Sequence, residues 1–313
     1  MLNKLFPIIV LICFAFSTHA QNQDSAYIFS YFRGNGEDGL HLAYSEDGLK
    51  WAPLKNDQSF LSPKLSPDKL MRDPCIIKGP DGLYHMVWTV SWTQKGIGYA
   101  SSKDLINWSE QLYVPVMEHE ENARNTWAPE ITYDPVTKQY MIYWATTITG
   151  EFPETQVEAD NGYNHRMYYT LTKDFKSFTE TMLLYEPGFN CIDATIQKNA
   201  DKWMMVIKDE TREPAEKNLK LAFADHLEGP YSEASEKITG DYWAEGPTMI
   251  KINDEWHVYF DRYIDNHFGL IKSKDLKTWT DVTDQLDFPK GIRHGTILKI
   301  SQKELNKLKA VKP

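Results

Sequence analysis

Cysteine is scarce in this 313-residue sequence, which contains only three. Cys13 lies in an apolar N-terminal run, so Cys75 and Cys191 are the two available to a folded domain. Two thiols supply neither a disulfide framework nor enough ligands for a zinc site, and we expect both to be buried. The sequence also lacks a glycine-rich phosphate loop, a nucleophile elbow and a cysteine–histidine pair in a catalytic context. These absences argue against phosphoryl transfer and against serine or cysteine nucleophiles.

Basic residues are fewer than acidic ones, with 34 Lys and Arg against 44 Asp and Glu and a formal charge of −10. Removal of the first twenty residues takes away Lys4, which leaves 33 basic against 44 acidic residues and a charge of −11. We therefore expect no nucleic-acid partner. After the N-terminus, no segment approaches the roughly 20 apolar residues that a membrane-spanning helix needs.

The N-terminus has the features of a secretory signal peptide. Lys4 precedes an apolar run over 5–16, and Ser17-Thr-His-Ala20 places small residues before a predicted cleavage after Ala20. Ile12 is too bulky for the position before a lipoprotein cysteine. The sequence thus predicts a signal peptide over 1–20 and a secreted, periplasmic or extracellular protein whose single domain covers 21–313.

One strand pattern recurs five times along the chain. The copies are separated by 48 to 65 residues and begin at Asp73, Ala128, Asp193, Gly246 and His294. Each of the first four leads into a turn rich in Asp, Asn, Gly or Pro, then a strand of aromatic and β-branched residues, then a third strand. Units of four strands at such a period are typical of propeller blades. The sequence therefore predicts an all-β, five-bladed β-propeller.

The fifth copy supplies one strand near the C-terminus, over 294–300, and lacks the later ones. Segments 27–32 and 39–45, with the turn that ends at Trp51, contain the missing strands. We therefore expect the last blade to be closed by N- and C-terminal strands, which leaves no open sheet edge. Trp51, Trp108 and Trp279 recur at one position of the blade and are interpreted as packing anchors.

Three acidic residues, Asp73, Asp193 and Glu245, stand at matching positions in three copies. A ring would direct them towards one central cavity. Hydrolysis of a glycosidic bond needs a protonated acid at the leaving oxygen and a carboxylate on the opposite face of the sugar. A third carboxylate near the acid would raise the pKa of that acid. Each residue alone also fits a turn-capping role.

At this point the chain resembles a known family. Its successive motifs look like the blade motifs of glycoside hydrolase family 43: Met71-Arg-Asp-Pro-Cys-Ile-Ile77, Thr126-Trp-Ala-Pro-Glu-Ile131, Cys191-Ile-Asp-Ala-Thr195, Trp243-Ala-Glu-Gly-Pro247 and Arg293-His-Gly295. The resemblance implies an inverting enzyme with Asp73 as general base, Glu245 as general acid and Asp193 as the residue that tunes the pKa of the acid. His294 matches the central histidine of the family, beside an axial water or a structural calcium ion. No cofactor is expected for catalysis.

The resemblance identifies the substrate less directly than the catalytic residues. About fifty residues of the mature chain precede Asp73, whereas family members usually begin close to that motif. We expect an exo-acting enzyme that removes terminal α-L-arabinofuranosyl or β-D-xylosyl residues from plant cell-wall polysaccharides. Alternatives within the family are an exo-β-1,3-galactanase and an endo-acting arabinanase or xylanase. A retaining enzyme of glycoside hydrolase family 32 is disfavoured because its Asn-Asp-Pro-Asn and Glu-Cys motifs are missing. A non-catalytic carbohydrate-binding propeller is the alternative of another class.

His294 and several further residues are candidates for contacts with the sugar. Trp127 and Trp243 flank motif residues and could stack on a sugar ring or pack in the core. Glu130 could accept a hydrogen bond from a sugar hydroxyl or hold a neighbouring site residue in place. Arg72 and Arg262 could bind hydroxyls or hold carboxylates. The long segments over 148–164 and 111–126 could close a groove into a pocket for a chain end.

Overall fold

The computed structural model describes residues 25–313. The predicted signal peptide over 1–20 lies outside the described residues. Strands dominate the fold, and they form five antiparallel sheets. Each sheet is one blade of a five-bladed β-propeller, which confirms the predicted fold.

The strands follow one another blade by blade along the chain. The N-terminal segment forms β1 (Ser25–Tyr31), β2 (His41–Ser45) and β3 (Ala52–Pro53). Blade 1 contains β4 (Arg72–Lys78), β5 (Tyr84–Thr89), β6 (Ile97–Ser102) and β7 (Leu112–Val114). Blade 2 contains β8 (Trp127–Asp134), β9 (Gln139–Thr146), β10 (Arg166–Thr172) and β11 (Met182–Tyr185).

The remaining blades complete the ring. Blade 3 contains β12 (Cys191–Asn199), β13 (Lys202–Asp209) and β14 (Asn218–Ala224). Blade 4 contains β15 (Glu245–Ile252), β16 (Glu255–Arg262), β17 (His267–Ser273) and β18 (Thr280–Asp281). Blade 5 joins β19 (Ile297–Ser301) to β1, β2 and β3. The short helical segments are the 3-10 turns Lys55–Asp57, Pro153–Thr155, Glu158–Asp160 and Thr283–Gln285, and the helix α1 (Gln302–Lys309).

The two ends of the described chain close the ring, as the sequence predicts. β19 pairs antiparallel with β1, with Ala26 opposite Ile300 and Phe29 opposite Ile297. The helix α1 follows β19 and was not predicted. Its capping box joins Ser301 and Glu304, and Glu304 also accepts a 2.7 Å hydrogen bond from the hydroxyl of Tyr84. The helix thereby links blade 5 to blade 1.

Blade 3 departs from the predicted four-stranded unit, because three regular strands make up its sheet. The edge position is taken by an irregular segment whose backbone amides bond to β14. Ser232, Ser235 and Ile238 donate to the carbonyls of alternate residues of that strand, Phe223, Leu221 and Leu219. Successive donors are three residues apart in the segment, whereas their acceptors are two residues apart in the strand. This mismatch prevents a regular ladder of hydrogen bonds.

A bulge recurs at the mouth end of the first strand in blades 1 to 4, with shifts of register at Arg72/Cys75, Trp127/Glu130, Ile192/Thr195 and Glu245/Thr248. The bulged residue has a left-handed backbone each time, with φ of 52° at Asp73, 46° at Ala128, 57° at Asp193 and 56° at Gly246. Bulges re-aim side chains and are common next to active sites. At Gly246 a Cβ would lie 2.4 Å from the ring of His294, so only glycine fits.

Hydrophobic side chains fill the spaces within and between the blades. Trp51 is buried against Phe29 and Tyr259, and Trp108 and Trp279 pack on the edges of other clusters, as predicted for packing anchors. Cys75 and Cys191 are buried free thiols, also as predicted. Within 25–313, none of the helices has the length and apolar character required to span a bilayer.

Candidate active site

A cavity of about 360 Å³ lies at the propeller mouth where the first strands begin. Its walls are Arg72, Asp73, Thr89, Trp92, Trp127, Ala128, Ile192, Asp193, Lys208, Glu210, Glu245, Arg293 and His294. The structure therefore brings together the three predicted acids from blades 1, 3 and 4. Trp127 and His294 also reach this cavity, whereas Glu130 and Trp243 do not line it.

Asp73 is held by two neighbours at the floor of the cavity. The hydroxyl of Thr89 donates to its Oδ2 at 2.8 Å, and Nδ1 of His294 lies 3.3 Å from its Oδ1. Burial alone would raise the pKa of Asp73, but the hydrogen bond and charge of His294, with the charge of Arg72, lower it overall. Asp73 is therefore a carboxylate at neutral pH, which is the form that a general base needs.

His294 lies on the propeller axis among carboxylates and is buried. Desolvation would lower the pKa of its ring. The bond to Asp73 and the charges of Asp193, Asp73 and Glu130 outweigh that effect and raise the pKa to about 9. The ring is therefore a buried imidazolium at neutral pH, with its charge balanced by acids from three blades.

Asp193 is buried, and its Oδ2 accepts a 3.0 Å hydrogen bond from the amide of Gly246. Burial raises its pKa to about 6, and the negative charges of Glu245 and Asp73 add to this rise, against the opposing effect of His294 and Lys208. Asp193 thus retains a proton closer to neutral pH than Asp73 does. The sequence predicted that it would raise the pKa of Glu245, and that role stays a prediction.

Both carboxylate oxygens of Glu245 are paired with cations. Nζ of Lys208 lies 3.0 Å from Oε2, and Nη2 of Arg293 lies 3.0 Å from Oε1. Arg293 also donates from Nε to Asp261 at 2.7 Å. The side chain of Glu245 is 22% exposed, so one part faces the cavity while the cations fix its orientation. Such charge-assisted pairs hold a carboxylate in one geometry.

Lys208 and Glu210 are functional candidates that the sequence analysis missed. Nζ of Lys208 lies 2.5 Å from Oε2 of Glu210, whose Oε1 lies 2.5 Å from Nζ of Lys217. Against the effect of burial, the two lysines lower the pKa of Glu210 to about 2. An alternating charge network thus runs from blade 3 to Glu245 and on to Arg293. Lys208 follows a run of buried apolar residues in β13 and is itself buried, and this unusual position was the available signal.

Trp127 forms one wall of the cavity. Its indole NH donates to the carbonyl of Trp92 at 3.0 Å, and its ring lies 4.9 Å from Tyr163 and 5.1 Å from His165. Tyr163 belongs to the long segment over 148–164. That segment therefore supports the aromatic wall from behind instead of lining the cavity itself.

Glu130 lies below the cavity instead of at its surface, so the structure does not favour direct contact with a sugar. The residue is 5% exposed, and its Oε2 accepts from the hydroxyl of Tyr143 at 2.9 Å. Desolvation raises its pKa to about 7, with a smaller contribution from Asp193. Its position fits the other prediction, that it supports a neighbour.

The predicted calcium ion can be compared with the donors on the axis. Oε1 of Glu130 is buried without a hydrogen-bond partner, and carboxylate oxygens suit calcium. The positive ring of His294 already supplies a cation beside it, however. Among residues 25–313, no group of three or more His, Cys, Asp and Glu side chains is arranged to hold a metal ion. The calcium ion stays a prediction, and the chemistry proposed for the site does not use it.

The remaining predicted residues lie at the rim. Arg72 packs its guanidinium 4.3 Å from the ring of Trp92 and donates to Asn35, so it lines the cavity without pairing with an acid. Trp243 lines a neighbouring cavity instead. Arg262 lines that same cavity and pairs with Asp265.

Comparison with known proteins identifies the family of this chain. A family model of the glycoside hydrolase 43-related group, described as a probable glycosyl hydrolase domain, matches residues 22–306. An α-L-arabinofuranosidase of Bifidobacterium longum subsp. longum is 25% identical over 261 residues, which cover 71% of this chain. The match covers 24% of that relative, so this chain spans about a quarter of its length.

Solved structures show the same fold at lower identity. A thermostable family-43 glycoside hydrolase has a TM-score of 0.56 and 16% identity, over 72% of this chain and 78% of the other. An exo-β-1,3-galactanase from Clostridium thermocellum has a TM-score of 0.50 and 14% identity, over 70% of this chain and 50% of the other. With the family model matching almost the whole described chain, the protein belongs to the glycoside hydrolase family 43 group of glycosidases.

Proposed function

We propose that this protein removes terminal α-L-arabinofuranosyl residues from plant cell-wall polysaccharides, with inversion at the anomeric carbon. The observation that carries the proposal is the single cavity in which Asp73, Asp193 and Glu245 meet from three blades. The arabinofuranosidase relative supports arabinofuranose as the released sugar. A signal peptide over 1–20 would export the enzyme to the compartment where such polysaccharides occur.

The chemistry assigns one step to each side of the cavity. Asp73 is ionised and oriented by Thr89 and His294, and it takes the proton of a water that attacks the anomeric carbon. Glu245 gives a proton to the leaving oxygen, in an orientation fixed by Lys208 and Arg293. Those two cations also face the cavity and can donate to sugar hydroxyls.

The shape of the cavity supports action at a chain end. Its volume of about 360 Å³ is small, and Trp127, backed by Tyr163, closes one side with an aromatic wall. A sugar ring can stack on such a wall while polar groups opposite bind its hydroxyls. An endo-acting enzyme would need an open groove on both sides of the cleaved bond.

Incubation of the mature protein with nitrophenyl arabinofuranoside, xyloside and galactoside, and with the matching polysaccharides, tests the proposal. Release of free arabinose is expected. Free xylose or galactose would instead favour a β-xylosidase or an exo-galactanase, and release of oligosaccharides would favour endo action. NMR of the first sugar formed is expected to show inverted configuration, and retained configuration would refute the mechanism.

Two variants test the roles of the acids. Asp73→Asn is expected to lower kcat on every substrate by about 10²–10⁴-fold, the usual contribution of an acid or base catalyst. Glu245→Gln should lose a similar factor on polysaccharide and less on nitrophenyl glycosides, because nitrophenolate departs without a proton. Wild-type rates for Glu245→Gln on both substrates would contradict the acid role. Binding of sugar without any hydrolysis by the wild type would favour a non-catalytic carbohydrate-binding propeller.

A further inference from the structure

A second cavity, of about 340 Å³, opens on blade 4 beside the catalytic one. We name it the blade-4 cavity; it is lined by Asp241, Tyr242, Trp243, Arg262, Ile264 and Asp265. Ile264 is 59% exposed, which is unusual for a large apolar side chain. The half-buried rings of Tyr242 and Trp243 add aromatic surface. An apolar and aromatic surface of this kind, with charged groups at its edge, is typical of a ligand site.

The walls of the blade-4 cavity are fixed to the proposed acid by the strand pairing. Glu245 lies opposite Asp261 in the ladder of β15 and β16. Trp243 comes two residues before Glu245, and Arg262 directly follows Asp261. Two residues of extended chain span about 7 Å, so the wall begins within roughly one sugar unit of the acid.

Tyr263 packs between one residue of each cavity. Its ring lies 5.9 Å from the ring of Trp243 and 4.9 Å from Nζ of Lys208, the residue that pairs with Glu245. Contacts through Tyr263 therefore link Lys208, beside the acid, to Trp243 in the blade-4 cavity. Across the catalytic cavity, Asp73 and Trp127 belong to blades 1 and 2.

The polar groups of the blade-4 cavity are held in place. The guanidinium of Arg262 lies 4.0 Å from the ring of Tyr242, and its Nε donates to Asp265 at 2.9 Å. The hydroxyl of Tyr242 donates to Asp281 at 2.6 Å. Fixed donors and acceptors beside aromatic rings suit a carbohydrate, which offers hydroxyls at its edge and C–H groups on its faces.

The acid of a glycosidase protonates the leaving oxygen, so the leaving part of the substrate lies on the side of the acid. We propose that the blade-4 cavity binds the leaving-group sugars of the substrate, with Trp243 and Ile264 as the main contacts. This assignment rests on the proposed function, because it takes Glu245 as the acid. It gives Trp243 the sugar-binding role predicted from the sequence, on the other side of the cleaved bond from Trp127.

Kinetics with substrates of different length test the blade-4 cavity. Trp243→Ala is expected to raise KM for arabinotriose about tenfold, the factor that corresponds to about 1.4 kcal/mol. A smaller change is expected with nitrophenyl arabinofuranoside, whose leaving group is short. Ile264→Ser, at an exposed position, should change KM in the same direction and guards against misfolding of the tryptophan variant. Val136→Ser is the matched control, because this exposed apolar residue lies in the turn at the far end of blade 2.

Calorimetry separates this proposal from the proposed function. In the Asp73→Asn background, Trp243→Ala should weaken binding of the trisaccharide about tenfold and leave binding of the monosaccharide unchanged. Equal effects on both sugars, or no effect of either variant on the trisaccharide, would overturn the assignment. If the wild type hydrolyses no arabinoside, the same titration with xylo- and galacto-oligosaccharides still decides whether the blade-4 cavity binds sugar. Failure of all three series to bind would refute it.

Discussion

Replacement of Lys208 by methionine is the most direct test of the charge network. Its side chain is 3% exposed, and its Nζ is paired with both Glu210 and Glu245. Removal of one partner from a buried ion pair costs about 3–5 kcal/mol of unfolding free energy, because the remaining charge stays buried without compensation. Here Lys217 still pairs with Glu210 and Arg293 with Glu245, so we expect a loss near the lower limit, about 3 kcal/mol. At about 2 °C per kcal/mol for a large domain, Tm should fall by about 6 °C.

Thermal and urea unfolding of the variant measure this loss. Lys202→Met is the matched control, since Lys202 begins the strand β13 that contains Lys208 and pairs with Asp225 on the surface. Its loss of unfolding free energy should be far smaller than that of Lys208→Met, because both partners of this ion pair are exposed to solvent. Adding Glu210→Gln to Lys208→Met should recover part of the stability, because it removes one of the charges left uncompensated. Equal losses for the two lysine variants would refute the interpretation of a buried network.

Two further predictions concern titration. By NMR, the ring of His294 should titrate near pH 9 and the ring of His257 near pH 4. The pKa of His294 in the folded protein exceeds its ordinary value of 6.5. Its contribution to stability is therefore complete below pH 6.5 and is lost as the pH rises through about 9. A midpoint for His294 near 6.5 would contradict the proposed charge on the axis. Ionisation of Glu130, whose pKa is raised from 4.5 to about 7, should destabilise the fold as pH rises through this window. Glu130→Gln should flatten that part of the stability profile, and an unchanged profile would show that Glu130 is already ionised at lower pH.

Most of the fold could be predicted from the repeated strand pattern in the sequence. The motif positions at Asp73, Ala128, Asp193 and Gly246 prove to be one bulged position in four blades, each with a left-handed backbone. Alignment of the hydrophobic runs could find this position because every blade repeats the same pattern of buried residues in its first strand. The direction of each side chain could not be derived, since a bulge is a feature of strand register and not of composition.

The partners of the acids were harder to predict. Lys208 and Arg293 lie 37 and 48 positions from Glu245 in the chain, and neither belongs to a local motif with it. Ring closure brings the three together, and the sequence shows only that a charged residue follows a run of apolar residues in a predicted strand. The cavity that Trp243 lines could not be predicted for a similar reason. Its other walls include residues of the turn after β16, which are distant from Trp243 in the sequence.

The acids of the site have different pKa values because their neighbours differ. Asp73 is ionised beside the imidazolium of His294, and Glu210 is ionised between two lysines. Asp193 accepts from a neutral backbone amide instead, and the same burial raises its pKa to about 6. The family resemblance assigned the role of acid to Glu245, and in the structure Lys208 and Arg293 pair with its two carboxylate oxygens. If Asp193 tunes the pKa of the acid, as predicted, Asp193→Asn should shift the basic limb of the pH–rate profile while Asp73 still activates water.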